Sequence, residues 1–134
     1  MHLHGGKLHR FFLQVAFFVM VRNGDAHLKN CEVLCRPDED LWLAPMFEVV
    51  TASIYEYTRY QGGGPPLEDR TLALKLFAGR HQARTYFFAE EFHDFGCPIC
   101  GVTRPAQVLA AIAHAMEHTL PEARSDGADA GRSA

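Results

Sequence analysis

From Leu8 to Val21 the chain is apolar almost without a break, and within Phe11–Val21 the only polar position is Gln14. A segment apolar on every side predicts a buried helix. It is too short for a bilayer, which needs roughly 20 apolar residues. No small-x-small cleavage site follows it, so it does not read as an export signal. Arg22-Asn23-Gly24-Asp25 is turn chemistry, with Gly24 free to take a positive φ. Cys31–Arg36 and Leu41–Ala44 predict two strands joined by a Pro37-Asp38-Glu39-Asp40 turn, with Trp42 anchoring the hairpin to the core. Phe47–Ile54 is apolar and β-branched and fits a packed loop as readily as a strand. Gln61–Pro66, rich in Gly and Pro, predicts a flexible loop. Thr71–Phe77 predicts a strand closed by Gly79, and Ala83–Phe95 a helix. Thr103 is placed to cap a last helix with Pro105 in its first turn. On that helix Val108, Leu109, Ile112, Ala113, Met116 and Leu120 make one apolar stripe. From Arg124 the chain is mostly Ser, Asp, Gly and Ala, which predicts a disordered tail over 124–134. The expected fold is α+β, mainly α, in one domain over 1–123 with a small β-hairpin or sheet.

Composition agrees. A chain of 134 residues, 48% hydrophobic with ten Phe, holds one domain with a real core and is not disordered over most of its length. Its net charge of -3 gives no electrostatic case for nucleic acid or an anionic membrane. The cysteines fall in two pairs. Cys31 and Cys35 lie on a predicted strand, more than ~12 Å apart at ~3.3 Å per residue, so one metal cannot take both. Cys97-Pro98-Ile99-Cys100 is a C-x2-C pair between glycines, open to ordinary thiols or, with His93, to a zinc or redox role.

The densest chemistry lies in Asn23-Gly24-Asp25-Ala26-His27-Leu28-Lys29-Asn30, a polar loop between a buried helix and a hairpin. Asp25 and Asn30 have the D-x4-N spacing of the kinase catalytic loop. There a carboxylate takes the substrate hydroxyl proton and an amide oxygen ligates magnesium without adding charge. His27 and Lys29 add donors or positive charge beside a place that would hold phosphate. By spacing alone the same residues could simply build a turn.

This segment resembles the catalytic loop of the HipA-type serine/threonine kinases, the toxins of bacterial toxin–antitoxin pairs. Leu43-Ala44-Pro45-Met46-Phe47-Glu48-Val49-Val50-Thr51 resembles that family's Leu-Ala-Pro-x-Tyr-Asp stretch at a matching distance, and Leu72-Ala73-Leu74-Lys75-Leu76 resembles the strand that follows. The likeness runs from about Leu8 to Glu122 and covers the family's C-terminal, mostly helical lobe. It implies Asp25 as catalytic base, Asn30 as a magnesium ligand and Glu48 in place of the second metal-binding Asp. His27 and Lys29 would lie near the phosphates. It implies ATP and Mg2+ as cofactors, a protein Ser/Thr hydroxyl as acceptor, a HipB-like DNA-binding antitoxin as partner and the bacterial cytoplasm as setting.

Two departures shape the expectation. Glu48 is one methylene longer than Asp, and magnesium demands near-ideal geometry at about 2.0–2.1 Å. No Gly-rich loop and no phosphate-pairing Lys precede the catalytic loop. Catalysis is therefore expected to need an N-terminal lobe, supplied in trans. The alternatives are a truncated pseudokinase that serves as a protein-interaction module, and a small zinc-binding module built on Cys97 and Cys100.

Overall fold

The structure, a computed structural model, describes residues 5–35, 37, 41–51, 56–57, 64–68, 70–78 and 86–130. The turn at Asp38-Glu39-Asp40, most of the predicted Gly-rich loop and the start of the helix predicted from Ala83 lie outside these residues. Helix α1 spans Gly5–Met20, strands β1 and β2 are Val33–Leu34 and Trp42–Leu43, β3 and β4 are Glu56–Tyr57 and Leu67–Glu68, α2 is Ala89–Gly96 and α3 is Pro105–Ala130. β1 pairs antiparallel with β2, Val33 opposite Leu43, and β3 pairs antiparallel with β4, Tyr57 opposite Leu67. The fold is α+β, mainly α.

The apolar run is a buried helix, as its pattern predicts. Phe12, Val15, Ala16 and Val19 recur at helical spacing, and all are buried in one cluster with Leu72, Leu74, Phe92, Phe95, Cys100 and Val102. Phe12 stands edge-on to Phe92, with ring centroids 6.3 Å apart, and tilted to Phe95 at 6.1 Å. Gln14, the polar break in the run, reaches out of the helix: its Nε2 donates to the Ala44 carbonyl at 2.8 Å. It thereby ties α1 to the end of β2.

The helix ends on a Schellman motif. The Arg22 N–H donates to the Val19 carbonyl and the Asn23 N–H to the Phe18 carbonyl. The left-handed position of that motif usually holds glycine. Here it holds Arg22 at φ 55, and Gly24 has no positive φ, so the expected site of the kink moves two residues upstream. A side chain in this conformation costs roughly 1 kcal/mol.

Five other expectations change. Thr71–Phe77 is not a strand among the described residues. Leu72 and Leu74 point in while Ala73 and Lys75 point out, but the segment docks through an Ala73 N–H donated to the Gly24 carbonyl at 2.9 Å. Helix α2 begins at Ala89, because Phe88 is extended and its N–H donates to the Glu91 carboxylate at 2.8 Å. Helix α3 opens on Arg104 rather than Thr103, since Gln107 and Val108 both donate to the Arg104 carbonyl. Trp42 is 54% exposed with the Lys7 ammonium 5.8 Å from its ring, and Leu43 is the buried residue of the hairpin. The backbone of α3 also continues through 124–130, where a tail was expected, to end at Ala130.

Gly96 marks where the three helices meet. A Cβ there would lie 2.7 Å from Pro105 Cγ and 2.9 Å from Phe12 Cε2. Val108, Leu109 and Ile112 of the predicted stripe pack half-buried against the core. No described helix is long and apolar enough to cross a membrane.

Candidate functional site

The loop after α1 is fixed at both ends. At its start Asn23 is 1% exposed, and its Nδ2 donates to the Glu48 carbonyl at 3.0 Å. At its end Leu28–Asn30 forms one 3-10 turn, with the Asn30 N–H donating to the His27 carbonyl at 2.9 Å. Asn30 is buried. Its Oδ1 accepts the His27 N–H at 2.9 Å, and its Nδ2 donates to Glu48 Oε2 at 2.8 Å. The backbone thus dictates which way the amide faces. Turned over, it would set NH2 against the His27 N–H, donor against donor.

Two of the sequence-derived site residues, Asn30 and Glu48, are therefore in direct contact across 18 positions of chain. Glu48 sits at φ 52, an uncommon backbone for a non-glycine residue. Its carbonyl is held by Asn23 and its carboxylate by Asn30. Asp25 stands exposed on the turn between these two asparagines, and its carboxylate has no hydrogen-bond or ion-pair partner among the described residues. Lys29 is exposed, and His27 is half-buried with a buried Nδ1 lacking a partner among the described residues. His27, Leu28 and Lys29 line a groove of about 430 Å³ together with Ala73, Leu74 and Lys75.

A carboxylate and an amide oxygen are hard donors of the kind magnesium takes. Asn30 Oδ1 gives one lone pair to His27 and keeps a second. The donor types suit a hard divalent cation, but the Asn30 NH2 and not its Oδ1 faces Glu48, so the two oxygens would meet on one ion only after the amide or the Glu48 side chain reorients.

The cysteines do not form a comparable site. Cys100 belongs to the buried core, where burial pushes its thiol up to about 11. Cys97 Sγ donates to the Val102 carbonyl at 3.1 Å and lies 3.6 Å from His93 Nε2 near the surface. Among the described residues no group of three or more His, Cys, Asp or Glu side chains could hold a metal ion. The pair is thus one core thiol and one half-buried thiol bonded to a carbonyl.

Asn23 is the residue to which the sequence assigned no role. It stood in the quoted motif, but a side-chain bond to a carbonyl 25 positions away leaves no periodic trace. Residues 2–123 match the family described as HipA-like C-terminal domain. No curated protein and no solved structure matches the chain.

Proposed function

Because the chain belongs to the HipA-like C-terminal domain family, we propose that it is the catalytic-loop lobe of a serine/threonine kinase that moves the ATP γ-phosphate to a protein hydroxyl. The observation that carries this reading is the contact between buried Asn30 and Glu48, with Asp25 exposed on the same loop. Asp25 would orient the acceptor hydroxyl and take its proton, and its exposure leaves it open to a docked side chain. Asn30 and Glu48 would hold magnesium, which when bound offsets phosphate charge. Lys29 and Lys75 line one groove with His27 and would offer positive charge to the phosphates. The second wall of an ATP cleft, with its Gly-rich loop and phosphate-pairing Lys, would come from an N-terminal lobe in cis or in trans. A toxin paired with a HipB-like antitoxin in the bacterial cytoplasm is the biological setting this reading carries.

Thermal unfolding with and without Mg-ATP, beside Asn30→Ala, tests it. A ligand at about 100 times its dissociation constant stabilises by roughly 2.7 kcal/mol, which for this size is a rise of roughly 8–15 °C. The expected result is a rise that Asn30→Ala abolishes.

A second reading is a pseudokinase lobe that binds a protein partner. It draws on the exposed apolar residues that flank the contact in sequence: Leu28 at 65% exposure, Val50 at 54%, and Met46 and Val49. Cooperative melting with no response to Mg-ATP would favour this reading over the first.

A further inference from the structure

Helix α3 carries two histidines that take no part in the core or in the Asn30–Glu48 contact. His114 and His118 are four positions apart, which sets them one turn apart on one face of the helix. Val108, Leu109 and Ile112 pack against the core, and both histidines are exposed on the opposite side. The two rings lie close, with centroids 4.3 Å apart and planes at 57° to each other. Their Nε2 atoms are 3.1 Å apart. Without a cation, that distance suits one Nε2–H donating to the other Nε2. It is also the bite of a metal chelate. With zinc–nitrogen bonds of about 2.0–2.1 Å, nitrogens 3.1 Å apart subtend about 95–100° at the metal. That angle lies between the ~90° of an octahedral site and the ~109° of a tetrahedral one. From Pro105 to Leu120 the helix carries no Lys or Arg, and Glu117 puts a carboxylate beside His118 in sequence. No fixed positive charge on this stretch opposes a cation.

We propose that His114 and His118 form a two-imidazole surface site for a borderline divalent metal ion of the Zn2+ class. Imidazole nitrogen suits zinc and its first-row neighbours, whereas Mg2+ prefers oxygen donors. Both rings bind through Nε2 and carry their proton on Nδ1, so the Nε2 proton of the metal-free pair goes to solvent and that ring takes one up at Nδ1. The helix presents the second imidazole at high effective concentration once the first has bound. Water fills the remaining positions, as in zinc sites not closed by four protein ligands. The site shares no residue with Asn30 and Glu48 and does not rest on the kinase reading.

The test titrates the full chain with ZnCl2, and separately with MgCl2, at about pH 7.5, where imidazole is ordinarily neutral. Histidine ring resonances are followed by NMR, so that each imidazole reports for itself and zinc held elsewhere in the chain is seen as such. Zn2+ is expected to move the His114 and His118 rings together along one saturable curve, and Mg2+ is expected to move neither. His114→Ala and His118→Ala should each weaken Zn2+ binding at the remaining imidazole at least tenfold. Both side chains are exposed, so both variants should melt without metal as the native chain does. Asn30→Ala should leave the response of the pair unchanged, which keeps this result apart from the Mg-ATP test. Zn2+ that moves other rings but not this pair overturns the proposal. So does an affinity that either alanine variant leaves unchanged, or a response to Mg2+ equal to that to Zn2+.

Discussion

At Glu48 two asparagines from one loop hold one distant residue, Asn23 by its carbonyl and Asn30 by its carboxylate. Aspartate at this position is one methylene shorter and would not reach the Asn30 Nδ2 directly, which frees the amide to turn its oxygen from the His27 N–H toward a cation on the carboxylate. Glu48→Asp is therefore expected to lower metal-free stability by about 1 kcal/mol or less and to enlarge the stabilisation by Mg-ATP. Melting curves of both proteins with and without Mg-ATP check this, and a smaller response in the Asp variant would count against the metal site. Asn23→Ala removes a buried donor and strands the Glu48 carbonyl, at an expected cost of about 1–3 kcal/mol, readable by urea unfolding. Asp25, Asn30 and Glu48 were legible because their spacing is local or lies in a second recognisable block. The Asn23 clamp and the left-handed Arg22 were not. The first is a long-range side-chain bond, and the second is a backbone state that the nearby Gly24 made the less obvious choice.

Helix placement follows from burial, and helix ends follow from individual hydrogen bonds. The sequence shows where α1 and α3 lie because each carries a long apolar pattern. The start of α2 is hidden in the aromatic run Tyr86-Phe87-Phe88, and it is marked by the Glu91 carboxylate on the Phe88 N–H and the Phe92 N–H on the Phe88 carbonyl. The alternation at 72–75 is real, but alternate burial needs only an extended chain over a core, and a strand needs a neighbour as well. Trp42 misleads for a related reason: on a two-residue strand one face goes to the core, and Leu43 takes it. Gly96 gives this scale its sharpest test. Gly96→Ala would push a methyl into Pro105 and Phe12 where α1, α2 and α3 converge, and should cost about 1–3 kcal/mol. Gly101 meets open space but sits at φ 68, so Gly101→Ala should cost only about 1 kcal/mol. The order of the two melting temperatures checks the packing. Equal losses would mean that the helices do not close around Gly96.

Among the described residues one core cluster joins α1, α2 and the 72–74 segment, and Cys100 lies inside it, 1% exposed, with Phe12, Leu72 and Phe95. That placement couples global stability to alkaline pH with a definite sign. The ordinary thiol value is 9.0, and burial moves Cys100 up to about 11 in the folded chain. Burial also moves Cys31 upward, without a partner charge to offset it. Below pH 9 the Cys100 thiol is protonated in both states, and its contribution is fully present. Between about 9 and 11 the unfolded chain releases the proton and the folded chain does not, so stability falls as pH rises. Two pH units correspond to roughly 2–3 kcal/mol. Other groups also titrate in this range, so the measurement is a difference. The stability advantage of the native chain over Cys100→Ala, from urea unfolding at pH 8 and pH 10.5, should shrink by about 2 kcal/mol. A constant difference would mean that the thiol reaches water in the folded state. In that case the 95–102 turn does not close over α1, and the scaffold that carries Asn23 and Asn30 at the far end of the same helix would be looser than described.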